Sequence, residues 1–242
     1  MNLSLNTQQK REGGFTLLEL LIVIAIIAIL SIALVFMLNP AETLKKSRDA
    51  QRISDLKTLK TAIGVMLTST STPSLDNFGT LCLTDTTGTA RAGKIAYSSA
   101  AAPTWITPPT PAIAGGDAVV GSTFTSPGFI SATAGAVNGT GWIPINLKAL
   151  ISGTPISTFP VDPVNTIAVL STTASTDLVY RYACQNGTTA SGKPSYSFEV
   201  DAVLESNAYT IDDNKMAKDG GDNVAYYESG NSLNLLPTTT NF

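Results

Sequence analysis

The 242-residue chain contains no histidine and only two cysteines. Histidine is the residue most often used for proton transfer near neutral pH and for holding zinc, so every catalytic triad with a histidine base is excluded. Two cysteines cannot form a closed four-thiolate zinc site. Charged residues make up 14% of the chain and the net charge is -3, so the polycationic surface that holds nucleic acids is missing. No nucleic-acid partner is required.

A long uncharged run follows the first fourteen residues, and one acid interrupts it. From Phe15 to Leu38 the only ionisable side chain is Glu19. As a helix this run would be about 36 Å long, which is enough to cross a bilayer core. A cleavable secretory signal fits poorly, because the run is too long and no small-residue cleavage site follows it. A plain uncleaved anchor is the other alternative.

Glu19 needs an explanation, because a charge in a membrane helix costs about 2.5–3.5 kcal/mol at the helix centre and normally has a partner. No lysine or arginine lies in the run. A cut between Gly14 and Phe15 would create an α-ammonium group at the start of the same helix, and this group would be the missing cation. Within a single helix the ammonium group and the Glu19 carboxylate would be a full turn apart and poorly aligned. An ion pair between these groups of two neighbouring subunits is geometrically easier.

The segment Gly13–Glu19, with its short basic leader and the apolar run after it, resembles the prepilin cleavage and methylation motif of type IV pilins and type II secretion pseudopilins. The resemblance implies that an inner-membrane aspartyl peptidase cleaves between Gly14 and Phe15 and N-methylates Phe15. It also implies that Glu19 assists assembly by engaging the amino terminus of an adjacent subunit.

The same resemblance implies a location and a set of partners. The chain would be a single-pass protein of the bacterial inner membrane that later enters an extracellular pilus or a periplasmic pseudopilus. Its partners would be further copies of itself, the prepilin peptidase, an inner-membrane assembly platform and membrane lipid. More lysines and arginines follow the run than precede it, which by the positive-inside tendency would leave the large domain in the cytoplasm. Long translocated domains often escape that rule, and we follow the motif.

Residues 39–67 are predicted to form an amphipathic helix, because apolar residues recur at steps of three and four. Pro40 removes a backbone donor, so a kink is expected where the two helix halves meet. The apolar face comprises Ala50, Ile53, Leu56, Leu59, Ile63 and Met66 or Leu67. The opposite face is basic, either as a solvated surface or as a stripe that meets acidic surfaces of neighbouring subunits. Its members are Lys45, Lys46, Arg48, Arg52, Lys57 and Lys60.

The remainder of the chain is predicted to be a β-rich head. Residues 68–141 are dominated by small and turn-forming types, which indicates loops with a few short strands, at 94–97, 118–120 and 128–131. After Trp142 the stretches "LVYRYAC", "SYSFEVDAVLE" and "NVAYYES" have the aromatic and β-branched composition of strands. A long helix followed by an antiparallel sheet is an α+β arrangement, with the apolar helix face covering one face of the sheet.

The chain therefore divides into a leader (1–14), a transmembrane helix half (15–38), an amphipathic helix half (39–67) and an extracytoplasmic head (68–242). The order of elements resembles the pilin head. The stretch "FPVDPVN" resembles the proline–aspartate–proline turn that precedes a strand in major pseudopilins. Glu199 and Asp201 share one face of a predicted strand, and with no sign of a cleft we expect them to be solvent-exposed.

Cys82 and Cys184 form an even pair in a domain that is expected to face an oxidising compartment. A disulfide is therefore favoured over two buried thiols. On the chain-entropy model, closing a loop of about 100 residues contributes up to about 4.7 kcal/mol. Such a bond would help a head whose composition supplies little core.

The carboxy-terminal stretch "TIDDNKMAKDGGDN" is rich in oxygen ligands of the kind that Ca²⁺ prefers. Some pseudopilins carry a calcium site in this loop, whereas acid-rich loops elsewhere are simply solvated. No other cofactor is expected. The candidate ligands are Asp212, Asp213, Asp219 and Asp222.

The leading functional hypothesis is a non-enzymatic, prepilin-like structural subunit that assembles through its first helix into a type IV pilus. The nearest alternative is a pseudopilin of a type II secretion system. An alternative of another class is a membrane-tethered binding protein or enzyme, for which the sequence shows no nucleophile elbow, phosphate loop or metal cage.

Overall fold

The first helix, α1, spans Leu17–Leu38, an apolar run that contains no glycine or proline and only two polar residues, Glu19 and Ser31. This structure is a computed structural model, and it describes residues 13–77, 81–86, 89–99, 113–114, 123–124, 129–167, 176–186 and 196–238. The chain divides into two compact units, residues 1–43 and 44–242. In the first unit, Leu17–Val35 has a mean hydropathy of 3.1, so it is long and apolar enough to cross a membrane.

The helix is interrupted at Asn39, which adopts a left-handed conformation with φ of 38°. Asparagine tolerates this conformation better than most residues. The second helix, α2, begins at Pro40, a position that needs no backbone donor, and ends at Ser69. The predicted break beside Pro40 is confirmed.

Helix α2 buries one face, and that face differs from the predicted one at its beginning. Leu56, Leu59 and Ile63 are buried as the periodicity predicts. Ala50, however, is exposed, and Arg52 is fully buried together with Asp49. The assignment of Arg52 to the solvated basic face is therefore wrong, because carboxylates surround its guanidinium.

The second unit contains two sheets, whose strands are numbered in chain order. In the larger sheet the strand order is β6-β3-β7-β8-β9, and in the smaller one it is β1-β2-β5-β4. Four neighbours of the larger sheet, β3, β7, β8 and β9, are antiparallel, and β6 pairs with β3 in parallel. The α+β prediction is confirmed. The strand bounds are Thr84–Thr86, Thr89–Gly93, Ala96–Tyr97, Ile113–Ala114, Thr123–Phe124, Phe129–Ile130, Arg181–Gln185, Ser197–Ala202 and Tyr227–Gly230.

Of the short strands predicted between residues 68 and 141, those at 94–97 and 128–131 have counterparts in β3 and β6. The strand predicted at 118–120 lies outside the described residues. A single 3-10 turn, Leu147–Ala149, occupies the stretch around "INLKALISG", and a π-helix spans Ala208–Asp212.

Both faces of the larger sheet are covered. Phe198, Val200 and Ala202 of β8 belong to the same apolar cluster as Leu56 and Leu59 of α2, so the helix covers this face as predicted. The opposite face packs against a second cluster that includes residues 235–236 near the carboxy terminus. Glu199 and Asp201 point to that second face and are buried, so the expectation of solvent exposure is wrong.

The disulfide between Cys82 and Cys184 is present and joins two residues 102 positions apart. Both cysteines are buried within the first apolar cluster, where Cys184 lies on β7. The prediction of a bonded pair is confirmed.

Candidate assembly segment and helix anchor

The predicted processing bond lies in exposed backbone directly before α1. Gly13 and Gly14 are non-helical, and a side chain added at either glycine would meet no neighbouring atom within 4 Å. Phe15 is 83% exposed. Among the described residues, the geometry therefore leaves the Gly14–Phe15 bond open to a protease. Cleavage and methylation here stay predictions.

Glu19 closes a capping box at the start of α1. Its Oε2 accepts hydrogen bonds from the backbone N–H of Thr16 at 3.0 Å and from the Thr16 hydroxyl at 2.9 Å. In return, the Glu19 N–H donates to the Thr16 hydroxyl oxygen at 3.2 Å. Such a box satisfies helix donors that would otherwise lack a partner. Glu19 thus has a local role in addition to the predicted role in assembly.

Sequence reasoning missed this capping box because it searched for a cation near Glu19. The pattern Thr-x-x-Glu immediately before an apolar run is itself a signal for a helix start. Throughout Gly13–Val35 the side chains are exposed, so none of the residues that the structure describes covers the apolar surface of this part of α1. An uncovered helix of this length and hydropathy fits membrane anchoring.

The second unit anchors α2 through Arg52, which the protein buries completely. Its Nε and Nη2 donate to the two carboxylate oxygens of Asp162 at 2.6 and 3.0 Å. Its Nη1 donates to Asp49 and to Glu205, each at 2.7 Å. Asp162 and Asp49 are themselves fully buried. The guanidinium group therefore connects three separate parts of the chain, namely α2, the segment at Asp162 and the segment at Glu205.

Asp162 is the acid of the "FPVDPVN" turn, and the turn is built around it. Besides Arg52, its Oδ1 accepts from the N–H groups of Val164 and Asn165 at 2.8 and 3.2 Å. Asn165 has a φ of 52°. This turn, which resembles that of major pseudopilins, places the Asp162 carboxylate against α2 in this chain.

Asp49 and Glu205 extend the anchor to the segment that follows β8. Asp49 accepts from the N–H of Glu205 at 3.0 Å and from the N–H and hydroxyl of Ser206 at 2.7 and 2.6 Å. Arg48 donates to both oxygens of Glu205 at 2.9 and 3.2 Å. Burial raises the pKa of Glu205, but hydrogen bonds from Arg48 and Arg52 outweigh it and hold that pKa below its ordinary value.

A pair of buried acids lies on the other face of the sheet. The Glu199 carboxyl neighbours that of Glu228, and its Oε2 accepts from the N–H groups of Leu235 and Leu236 at 2.6 and 2.9 Å. Burial raises the pKa of both carboxyls, and the neighbouring Glu199 carboxyl raises that of Glu228 further. Two adjacent buried carboxyls with raised pKa values favour a proton on the pair near neutral pH.

Asp201 lies on the same face opposite a buried arginine. The Nη1 of Arg181 is 3.5 Å from its Oδ1, and the Arg181 guanidinium lies 4.6 Å from the centre of the Tyr226 ring. Burial raises the pKa of Asp201 to about 7, although the charge of Arg181 opposes this shift. These groups form a buried polar layer rather than an open cleft.

The four aspartates predicted to hold calcium do not converge. Asp213 is paired with Lys215 and Lys218. Asp219 accepts from the N–H groups of Gly221 and Glu228 at 2.9 and 2.8 Å. Within the described residues, no three His, Cys, Asp or Glu side chains are grouped in a way that could hold a metal ion. Calcium binding stays a prediction.

Comparison with known families places the amino-terminal segment. Residues 9–35 match the family model of the prokaryotic N-terminal methylation motif, which is the prepilin motif of type IV pilins and pseudopilins. The match covers the exposed glycines, the capping box and most of α1. Comparisons with curated proteins and with solved structures gave no significant match. The chain therefore has the amino terminus of a prepilin-type protein, and its head is not matched.

Proposed function

We propose that the protein is a non-enzymatic structural subunit that is cleaved between Gly14 and Phe15, methylated at Phe15 and assembled through α1 into a type IV pilus. The observation that carries this proposal is the position of the matched motif. One continuous segment contains the exposed Gly14–Phe15 bond, the acid Glu19 shortly after it and the uncovered apolar helix α1. A structural role also agrees with a chain that has no histidine.

Cleavage would give Glu19 a second partner. The new α-ammonium group on Phe15 would directly precede Thr16, which caps the helix, and a neighbouring subunit could present the same group to the Glu19 carboxylate. In hydrocarbon such a charge pair lowers the cost that either charge has alone. The uncovered surface of α1 would contact lipid before assembly and other α1 helices afterwards.

The anchor on α2 supports the same proposal from the head side. Arg52 connects the helix to the turn at Asp162 and to the segment at Glu205 by hydrogen bonds of 2.6–3.0 Å. In a filament whose subunits contact one another through their helices, each head is attached to the filament only through its own helix. The contact between helix and head must therefore be stable. A fully buried guanidinium with three carboxylates is a strong point of attachment.

The proposal is tested by separating the charge of Glu19 from its capping role. Glu19→Gln keeps a residue that can complete a capping box but removes the charge. Thr16→Ala keeps the charge but removes the cap, at a cost of about 0.5–2 kcal/mol. Both variants are expressed with the prepilin peptidase and the assembly system, and sheared filaments are quantified by electron microscopy.

We expect Glu19→Gln to lose filaments while its membrane level stays normal, and Thr16→Ala to retain them. The opposite ranking, with Thr16→Ala abolishing filaments and Glu19→Gln assembling normally, would show that Glu19 acts only as a helix cap. Filaments that contain no copy of this protein in the wild-type strain would remove the structural role altogether.

A second candidate is a pseudopilin of a type II secretion system, and the "FPVDPVN" turn favours it. In that case deletion of the gene abolishes protein secretion and leaves surface pili intact, whereas a pilus subunit gives the reverse. The proposed calcium site belongs with this candidate. If the melting curves with Ca²⁺ and with a chelator are equal, the calcium proposal is lost.

A further inference from the structure

Two Asn-Gly-Thr sequences lie in the head, at residues 138–140 and 186–188. The pattern Asn-x-Thr is the acceptor signal for N-linked glycosylation, in which a sugar is joined to the side-chain nitrogen of the asparagine. Matches to three residues arise easily by chance in a chain rich in threonine. The two asparagines, however, lie in different surroundings in the structure.

Asn138 lies in a turn of the second unit whose backbone is fixed on both sides. The carbonyl oxygen of Val137, a buried residue, accepts from the N–H of Leu147 at 2.8 Å. Gly139 has a φ of 91°, which favours glycine, and a Cβ there would collide with a neighbouring side chain 2.8 Å away. The turn therefore requires this glycine, and it leaves Asn138 and Thr140 exposed on either side.

The side chain of Asn138 is held through its oxygen. Its Oδ1 accepts from the N–H of Thr140 at 3.2 Å and from the Thr140 hydroxyl at 2.7 Å. Among the described residues, no group is hydrogen-bonded to its Nδ2, the atom that carries the sugar in N-linked glycosylation. The exposed carboxamide thus leaves its nitrogen accessible.

Asn186 is engaged through both its oxygen and its nitrogen. It is half-buried directly after β7, two residues after Cys184 of the disulfide. Its Oδ1 accepts from the N–H of Leu75 at 2.8 Å, and its Nδ2 donates at 2.8 Å to the buried carboxylate of Asp76. A sugar on this nitrogen would have to displace the contact with Asp76, so we expect Asn186 to stay unmodified.

We propose that Asn138 is the acceptor of an N-linked glycan. The donor is a lipid-linked oligosaccharide diphosphate, and a membrane oligosaccharyltransferase catalyses the transfer. Nδ2 of Asn138 bonds to the first sugar carbon and loses one proton to a base of the transferase. The bond from that carbon to the diphosphate oxygen breaks, and the lipid diphosphate leaves with the electron pair. This step rests on the proposed function, which places the head outside the cytoplasm, where glycosylation of exported proteins occurs.

The test uses the full chain isolated from its native cells. The chain is digested, and mass spectrometry identifies the peptides that contain Asn138 and Asn186. We expect sugar residues on the Asn138 peptide and the unmodified mass for the Asn186 peptide.

Four variants separate the acceptor from the turn. Asn138→Asp keeps an oxygen that accepts from Thr140 but removes the nitrogen, so the glycan should be lost. Thr140→Ala removes the hydroxyl of the signal and should also lose the glycan, whereas Thr140→Ser keeps a hydroxyl and should retain it. Thr188→Ala is the matched control, because it destroys only the second signal and should leave the glycan in place. A thermal melt shows that each variant is folded.

An unmodified Asn138 in the wild-type chain overturns the proposal, and so does a glycan on Asn186. Sugar residues that persist in Asn138→Asp lie on a hydroxyl group and also overturn it. Retention of the glycan in Thr140→Ala shows that the signal is not read and has the same consequence.

A second measurement separates this proposal from the proposed function. A membrane-impermeant amine reagent, added to spheroplasts of the same cells, should label Lys57 and Lys60, which are exposed on α2. Unlabelled lysines contradict export of the head and hence the proposed function. Labelled lysines together with an unmodified Asn138 contradict only the glycan.

Discussion

Replacing Arg52 by methionine should destabilise the second unit strongly. The substitution keeps an unbranched stem about as long as that of arginine but removes the guanidinium. It leaves the buried carboxylates of Asp49 and Asp162 without their cation, and Glu205 with Arg48 alone. Removing one partner of a buried ion pair typically costs about 3–5 kcal/mol, because the remaining charge stays buried.

For a unit of about 200 residues, each kcal/mol lowers the melting temperature by about 2–4 °C. Arg52→Met should therefore melt about 6–20 °C below the wild-type protein. The assay is thermal unfolding of the full chain in detergent micelles, followed by near-ultraviolet circular dichroism, which reports the aromatic residues of the head.

Lys57→Met is the matched control, because it makes a similar change at an exposed position on the same helix. Surface substitutions of this kind usually change stability by less than about 0.5 kcal/mol. If the two variants melt within 2 °C of each other, by an assay precise to about 1 °C, the idea that the buried network anchors α2 is refuted.

Three further predictions follow from the head. Reducing the Cys82–Cys184 disulfide should lower the free energy of unfolding by up to about 4.7 kcal/mol, measured by urea titration with and without reductant. Folded Glu228 and Glu199 have raised pKa values, so the folded state holds protons more tightly and stability falls as pH rises above about 4.5. Glu228→Gln should reduce that fall by more than about 1 kcal/mol between pH 5 and 8 in urea titrations, and an unchanged slope contradicts a raised pKa for Glu228. Tyr180→Phe removes a 2.8 Å hydrogen bond to α2 and should cost about 1–2 kcal/mol by the same measurement.

The elements that depend on local pattern were predictable from the sequence. The apolar length of α1, the break beside Pro40 and the aromatic, β-branched strands β7 and β8 all follow from neighbouring residues. The Cys82–Cys184 pairing was predictable because the chain has no other cysteine.

The burial of charged residues was not predictable in the same way. The apolar periodicity of α2 places Arg52 on the polar face of the helix. The carboxylates that make its burial favourable, Asp162 and Glu205, lie 110 and 153 residues later in the chain. Glu199 is buried because residues 235–236 cover the second face of the sheet and donate backbone N–H groups to it. Such long-range pairings leave no periodic signal in the sequence.

The capping box is a different kind of omission. Its signal is local and lies in the sequence as Thr16 followed three residues later by Glu19, because the backbone donors at a helix start need a partner just as a charge in the membrane does. The capping bonds use Oε2 of Glu19, so they are compatible with the assembly role predicted for the same carboxylate.

The central claim is that the chain is a precursor processed between Gly14 and Phe15. Its most direct test is the intact mass of the full chain after expression with and without an active prepilin peptidase. The account predicts loss of residues 1–14 and the gain of one methyl group on Phe15, in the presence of the peptidase only. An unprocessed chain beside an active cognate peptidase would contradict it.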